Sequence, residues 1–198
     1  MVTDVQPPPW AGLAPVGEYP YEETHDLRTG PDLHPALLGM LPLVGVWRGR
    51  GQGDYPTIEG DGFHYGQEVR FSHDGRPFLL YESRSWVIDV DGNPIRPANR
   101  ETGWWRPVLV DGKPTDEIEV LLSQPTGIME LYIGHAKGTT QWQMATDAVV
   151  RTATAKEVRA AKRLYGIVEG ALLYAIDLAA MGQPLQPHLS ARLERVAG

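Results

Sequence analysis

An all-β fold is predicted, a closed up-and-down barrel of ten antiparallel strands behind one short helix. Three observations predict it. From residue 45 onward, short runs of β-branched and aromatic residues recur at roughly ten-residue spacing, separated by Gly, Pro, Asp and Asn. Turn signals such as Val90-Asp-Gly-Asn, Val110-Asp-Gly-Lys and Val168-Glu-Gly-Ala fall between consecutive runs, where hairpins need them. Ten consecutive hairpin strands leave two edges unless the sheet closes on itself, and closure removes both.

The elements follow in chain order. Residues 1–31 hold six of the 17 prolines, with Gly, Asp and Glu and with neither a two-residue nor a 3.6-residue period, and read as a flexible extension preceding a barrel domain over 32–198. Asp32-Leu-His-Pro-Ala-Leu-Leu-Gly-Met-Leu has an acidic start, an early Pro and apolar Leu37, Leu38 and Leu41, the pattern of a short helix. Strands are expected at 45–51, 65–72, 78–88, 103–110, 118–123, 127–135, 140–146, 158–168, 171–179 and 185–195. The stretch 155–165 is rich in helix formers, and propensity alone favours a helix there. The hairpin pattern around Glu169-Gly170 argues for strand, since a helix would leave the sheet one strand short.

Composition narrows the chemistry. With 198 residues, 42% of them hydrophobic, the chain can bury a core, and with no cysteine it has no disulfide, thiolate metal site or cysteine nucleophile. A net charge of -7 argues against nucleic acid and anionic membrane as partners, because both require a basic footprint. The longest uncharged apolar stretches, 41–47 and 171–176, are far short of the ~20 residues that span a bilayer. No basic start with an apolar run opens the sequence, so a cytoplasmic protein acting on small molecules is expected. A barrel of ten strands has an interior to fill, and a ligand cavity is the natural filling.

Gly45-Val-Trp-Arg-Gly-Arg-Gly-Gln-Gly is the most informative segment. Positions 45, 49, 51 and 53 share one strand face and are all glycine, so something can approach that backbone closely, or the strand simply bends there. A nucleotide loop is rejected because no helix follows. This segment, continuing into Tyr55-Pro-Thr-Ile, resembles the GxWxGxG motif of the nitrobindin family, whose mycobacterial members are described as peroxynitrite isomerases. Pro77-Phe-Leu-Leu-Tyr, Glu101-Thr-Gly, Pro125-Thr-Gly, Thr154-Ala-Lys-Glu-Val and Gly182-Gln-Pro-Leu-Gln-Pro-His-Leu extend the resemblance over about 32–195.

The resemblance implies a nitrobindin-type barrel, like that of the fatty-acid-binding proteins, holding one haem b per chain at one end. It implies an isomerase that converts peroxynitrite to nitrate on ferric haem and binds nitric oxide, with a homodimer as one assembly open to it. His188 matches the family's axial iron ligand, and Lys156 and Thr57 match positions beside the haem; no catalytic side chain beyond the iron is implied. Among the six histidines, His25, His34, His73 and His135 read as bland, and His64 as a residue near the barrel mouth. Asp89, Asp91, Asp111, Asp116, Glu117 and Glu119 read as turn or solvated acids, and Trp86, Trp104, Trp105 and Trp142 as packing residues. A competing reading is a non-catalytic carrier of a fatty acid or other apolar ligand, with Arg84, Arg70 or Arg106 inside the barrel to hold a carboxylate head.

Overall fold

The computed structural model describes residues 6–58 and 62–198; residues 1–5 of the proposed extension lie outside the described residues. Ten strands, β1 (Gly45–Gly53), β2 (Phe63–Ser72), β3 (Leu79–Ile88), β4 (Pro94–Val110), β5 (Lys113–Gln124), β6 (Ile128–Lys137), β7 (Gln141–Arg151), β8 (Val158–Val168), β9 (Ala171–Ala180) and β10 (Gln186–Ala197), form the barrel. Each pairs antiparallel with its neighbours in sequence, and β1 closes on β10. The turns carry the chemistry their signals promised: Asp111 and Gly112 both have positive φ, as do Glu169 and Gly170, the backbone that a tight two-residue hairpin demands.

Helix propensity loses at 155–165. Ala161, Arg163 and Tyr165 of β8 alternate inward and buried, whereas Lys162 and Leu164 face out, so period-two burial decides over local preference. β4 begins nine residues earlier than expected, at Pro94; its first half carries Pro94, Pro97, Arg96 and Arg100, lacks apolar alternation, and is held by pairing with β3. The short helix is a 3₁₀ helix over Pro35–Leu43, with Pro42 inside it. It buries Ala36, Leu37, Met40 and Leu43, while Leu38 and Leu41 stay exposed.

That helix plugs one end of the barrel. Trp47, Trp105 and Trp142 are fully buried below it among Val69, Phe71, Leu79 and Leu172. The Trp47 indole donates to the Leu43 carbonyl (2.8 Å) and the Trp142 indole to that of Gly39 (3.3 Å). The Arg195 guanidinium stacks over Trp47 and donates to the carbonyls of Pro42 and Val44, which satisfies the helix end. Thr24 pairs with His73 across the same end, through two 2.8 Å backbone bonds, and His73, expected to be bland, is fully buried there. Trp104 and Trp86 do not join the core: Trp104 lies on the outer face, half exposed, and Trp86 is only partly covered against Gly66.

The glycine face of β1 is explained by two close approaches. A Cβ at Gly51 would fall within the Tyr65 ring, and one at Gly53 would strike Phe63 and Leu189. Bare backbone lets these rings cross β1 and build the wall of the open end.

Candidate functional site

The end opposite the helix opens into a cavity of about 570 Å³, within the range that holds a cofactor-sized ligand. Its rim and upper wall are apolar, from Ile58, Phe63, Ile128, Val158, Leu178 and Leu189. Its lower part is polar, and both the rim and that lower part carry chemistry.

His188 stands on the rim because of a fault in the ladder. Pro187 pairs with Asp177 and Leu189 with Ile176, so His188 is an extra residue on β10, a β-bulge beside a proline that has no N–H to give. Alternation from Leu189, Ala191 and Leu193 would send His188 outward; the bulge brings it to the cavity. There Nδ1 lies 2.9 Å from the Asp54 carbonyl oxygen, and the Asp54 N–H donates back to the His188 carbonyl (2.9 Å). A carbonyl can only accept, so Nδ1 carries the proton and Nε2 keeps its lone pair. Burial pushes the imidazole pKa below its ordinary value, which keeps the ring neutral at neutral pH. The Tyr55 ring packs edge-on against it (5.2 Å). Tyr55 is itself pinned to β9, its hydroxyl accepting from the Ala180 N–H (2.7 Å) and contacting the Ala180 and Leu178 carbonyls.

Thr57 and Lys156 also line the cavity, both exposed at its mouth: Thr57 in the turn closed by the Ile58 N–H to the Tyr55 carbonyl, Lys156 in the loop before β8. His64 points outward on β2 and does not line the cavity.

The polar floor was not foreseen. The Arg163 guanidinium, nine-tenths or more buried, donates to both Glu101 oxygens (2.9 and 2.7 Å), to Glu130 (3.2 Å) and to the Tyr132 hydroxyl (2.8 Å). The Gln124 amide donates to Glu101 and Glu130 (3.2 and 3.3 Å), and the Tyr81 hydroxyl donates to Glu101. Arg163 outweighs burial and holds the Glu101 carboxyl below the usual range. Beside this cluster, Tyr174 donates to Gln67 (2.6 Å), shares a 2.7 Å bond with Tyr65, and Gln67 donates to Ser83 (2.8 Å). Desolvation raises the Tyr65 pKa to about 12, so this hydroxyl stays protonated. The signal available in sequence was parity: Glu130 falls between inward Ile128 and Tyr132, and Arg163 between inward Ala161 and Tyr165.

The carrier reading loses its anchors. Arg84 lies on the outer face, paired with Glu68 (2.6 Å), Arg106 pairs outside with Glu119 (3.2 Å), and Arg70, paired in register with Glu82, shares that face. The interior arginine, Arg163, is already spent on two carboxylates, and a charged floor is a poor bed for an acyl chain.

A neutral imidazole at the rim of an apolar slot, with the Lys156 ammonium exposed at the mouth, fits a flat macrocycle that needs one axial nitrogen and a partner for anionic edge groups. The geometry therefore defines a ligand-binding barrel with the donor set of a haem site. The description "THAP4-like, heme-binding beta-barrel domain" matches residues 36–195, and the chain belongs to this family, the nitrobindin family. A protein of Salinispora arenicola named "Peroxynitrite isomerase" is 66% identical over 191 residues, 96% of each chain. A "Ferric nitrobindin-like protein" of Saccharopolyspora erythraea is 49% identical, covering 89% of this chain and 81% of its own. The crystal structure of Rv2717c from M. tuberculosis superposes with a TM-score of 0.71 at 38% identity, covering 83% of this chain and 99% of that one.

Proposed function

We propose that the protein is a haem-dependent peroxynitrite isomerase, holding one haem b per chain in the cavity and converting peroxynitrite to nitrate. The observation that carries the proposal is His188, raised by its bulge, with Nδ1 committed to the Asp54 carbonyl and Nε2 free. Such a second partner fixes the tautomer and the ring orientation of a metal-binding histidine. The names borne by close relatives support the substrate.

Bound there in the ferric state, haem supplies a Lewis-acid iron on which the O–O bond of peroxynitrite is weakened. The chain's contribution is confinement. Nε2 of His188 would hold the iron, Lys156 and Thr57 would meet the haem edge at the mouth, and the apolar wall would exclude water from the bound anion. Peroxynitrite and nitrate have the same atoms and electrons, so no further reactant is required. Binding of nitric oxide by the reduced protein belongs to the same reading, as does a cytoplasmic location; among the described residues no helix is long and apolar enough to cross a membrane. We take residues 1–31 as an extension and 32–198 as the barrel domain.

The test is titration with ferric haem beside His188→Ala. A saturable one-to-one Soret band is expected for the chain and none for the variant, and stopped-flow mixing of the loaded chain with peroxynitrite should return nitrate quantitatively. A variant with unchanged affinity and spectrum would falsify the axial assignment. Because protonated imidazole cannot bind iron and the His188 pKa is lowered, haem affinity should hold through mildly acidic pH and fall only below the ordinary histidine range.

A further inference from the structure

The wall that faces His188 is fixed by topology. In a closed ring of ten strands each strand faces the one five places on; from β10, counting β9, β8, β7 and β6, that is β5, flanked by β4 and β6. The cavity residues on these facing strands nearest the open end are Asn99, Gln124 and Ile128, so a ligand held between His188 and that wall would meet them.

Of these, Asn99 has hydrogen-bonding capacity to give. Gln124 is spent: its amide nitrogen goes to Glu101 and Glu130, and its oxygen accepts from Thr126 (3.2 Å). Asn99 makes one long side-chain bond, Nδ2 to the Gln124 oxygen at 3.5 Å, so a second N–H is uncommitted, and its Oδ1 is buried with no partner among the described residues. A buried amide oxygen without a partner is costly, and native proteins retain one where a ligand or water completes it.

The backbone shows that the placement is built. Arg84 pairs with Arg100 and Trp86 with Pro97, so Ala98 and Asn99 together oppose the single residue Ser85, a second β-bulge. The Ser85 hydroxyl fills the gap, accepting from the Asn99 N–H (3.1 Å) and donating to its carbonyl (3.3 Å). Both ladder groups of Asn99 are thus satisfied by one side chain while its amide stays turned to the cavity. His188, turned in by its bulge, and Asn99, inward by the parity of Glu101 and fixed beside the second bulge, present polar groups to one space from opposite walls.

We propose that Asn99 is the distal hydrogen-bonding residue, which donates its free N–H to an anionic ligand at the iron position facing it and uses Oδ1 to accept from a protonated one. This rests on the haem reading above and adds a residue to it. The role suits an anionic substrate, since a donor already fixed on the facing wall would orient the bound anion at no cost in reorganisation.

Fluoride is the probe, because ferric-bound fluoride is stabilised by a distal donor and reacts no further. The chain loaded with ferric haem is titrated with fluoride beside Asn99→Leu and Asn99→Asp, with the Soret and charge-transfer bands as readout. Both variants should bind haem as the parent does, since His188 is untouched, and both should raise the fluoride Kd about ten-fold or more, the worth of one hydrogen bond to a charged acceptor. Asn99→Asp is isosteric and keeps the Ser85 contacts, so it carries the test where the leucine disturbs packing. Fluoride affinity within two-fold of the parent in Asn99→Asp overturns the distal assignment and leaves the haem reading intact. A parent chain with no saturable Soret band overturns the haem reading, and the assignment falls with it.

Discussion

Replacing Arg163 by leucine removes the cation that stands between Glu101 and Glu130 in the cavity floor. The Arg163 side chain is 4% exposed and those of its partners 10% and 3%, so the variant would keep two carboxylates out of water with no compensating charge. Breaking a buried ion pair from one side costs about 3–5 kcal/mol, because the charge left behind is uncompensated. For a chain of this size each kcal/mol is worth roughly 2–4 °C, so the melting temperature at pH 7 should fall by roughly 6–20 °C. The pH dependence supplies the sharper check. In the parent, Arg163 depresses the Glu101 pKa, so this contribution is complete above the unfolded carboxylate value and is lost as pH falls through the lower folded value. In the variant the sign reverses: burial without its cation raises the Glu101 carboxyl, and stability is recovered as that group protonates. The gap between parent and variant should therefore narrow as pH is lowered from 7 towards 4. Adding Glu101→Gln and Glu130→Gln to Arg163→Leu should recover part of the loss at neutral pH, and the three-residue cycle reads the coupling directly. Differential scanning calorimetry from pH 4 to 8 is the assay. A loss below about 1 kcal/mol at pH 7, or a gap independent of pH, would refute the charge argument.

Three further outcomes follow from the cavity wall. Lys156→Ala should weaken ferric haem binding only a few-fold, because an exposed ion pair contributes little, and a loss as large as that of His188→Ala would mean that the anchors are reversed. Gly51→Ala places a methyl within the Tyr65 ring, and a strained wall should cost about 1–3 kcal/mol in urea denaturation; an unchanged midpoint would show that Tyr65 does not lie over β1. Tyr55→Phe leaves the Ala180 N–H buried without its acceptor, for a cost of about 1–3 kcal/mol, and should also speed haem dissociation by freeing the β1 end that holds His188; a parent-like off-rate would remove Tyr55 from the site.

How much of this could be read from the chain depends on whether a residue obeys its strand's alternation. The ten strands and their order were legible because Asp-Gly and Glu-Gly turns and two-residue burial repeat from β1 to β10. The first half of β4 was not, because Pro94, Pro97 and its charged neighbours carry no apolar period and hold their place only by pairing with β3. Glu130 and Arg163 sit at inward parity, but they belong to strands β6 and β8, and no local spacing says that they meet each other and Glu101 of β4.

His188 and Asn99 are the instructive cases. By the parity of Leu189, Ala191 and Leu193, His188 belongs outside with Ser190 and Arg192, and family resemblance rather than alternation singled it out. The bulge reverses its side, and Pro187 gives a physical reason for the slip, since a residue with no N–H cannot hold a regular ladder. On β4 the extra residue is accommodated by a serine whose hydroxyl substitutes for the missing ladder partners. On β10 the polar group reaches the cavity through one residue more than the partner strand supplies, whereas on β4 Asn99 keeps the inward parity of Glu101 and Gly103 and the extra residue lies at its far side. A bulge is a property of two strands counted against each other, so a single strand's pattern, however clear, does not contain it. Deleting Ala98 should therefore leave Asn99 facing the cavity, with fluoride affinity close to that of the parent, while the strand before it changes face; a loss as large as that in Asn99→Asp would mean that the bulge itself sets the Asn99 side chain.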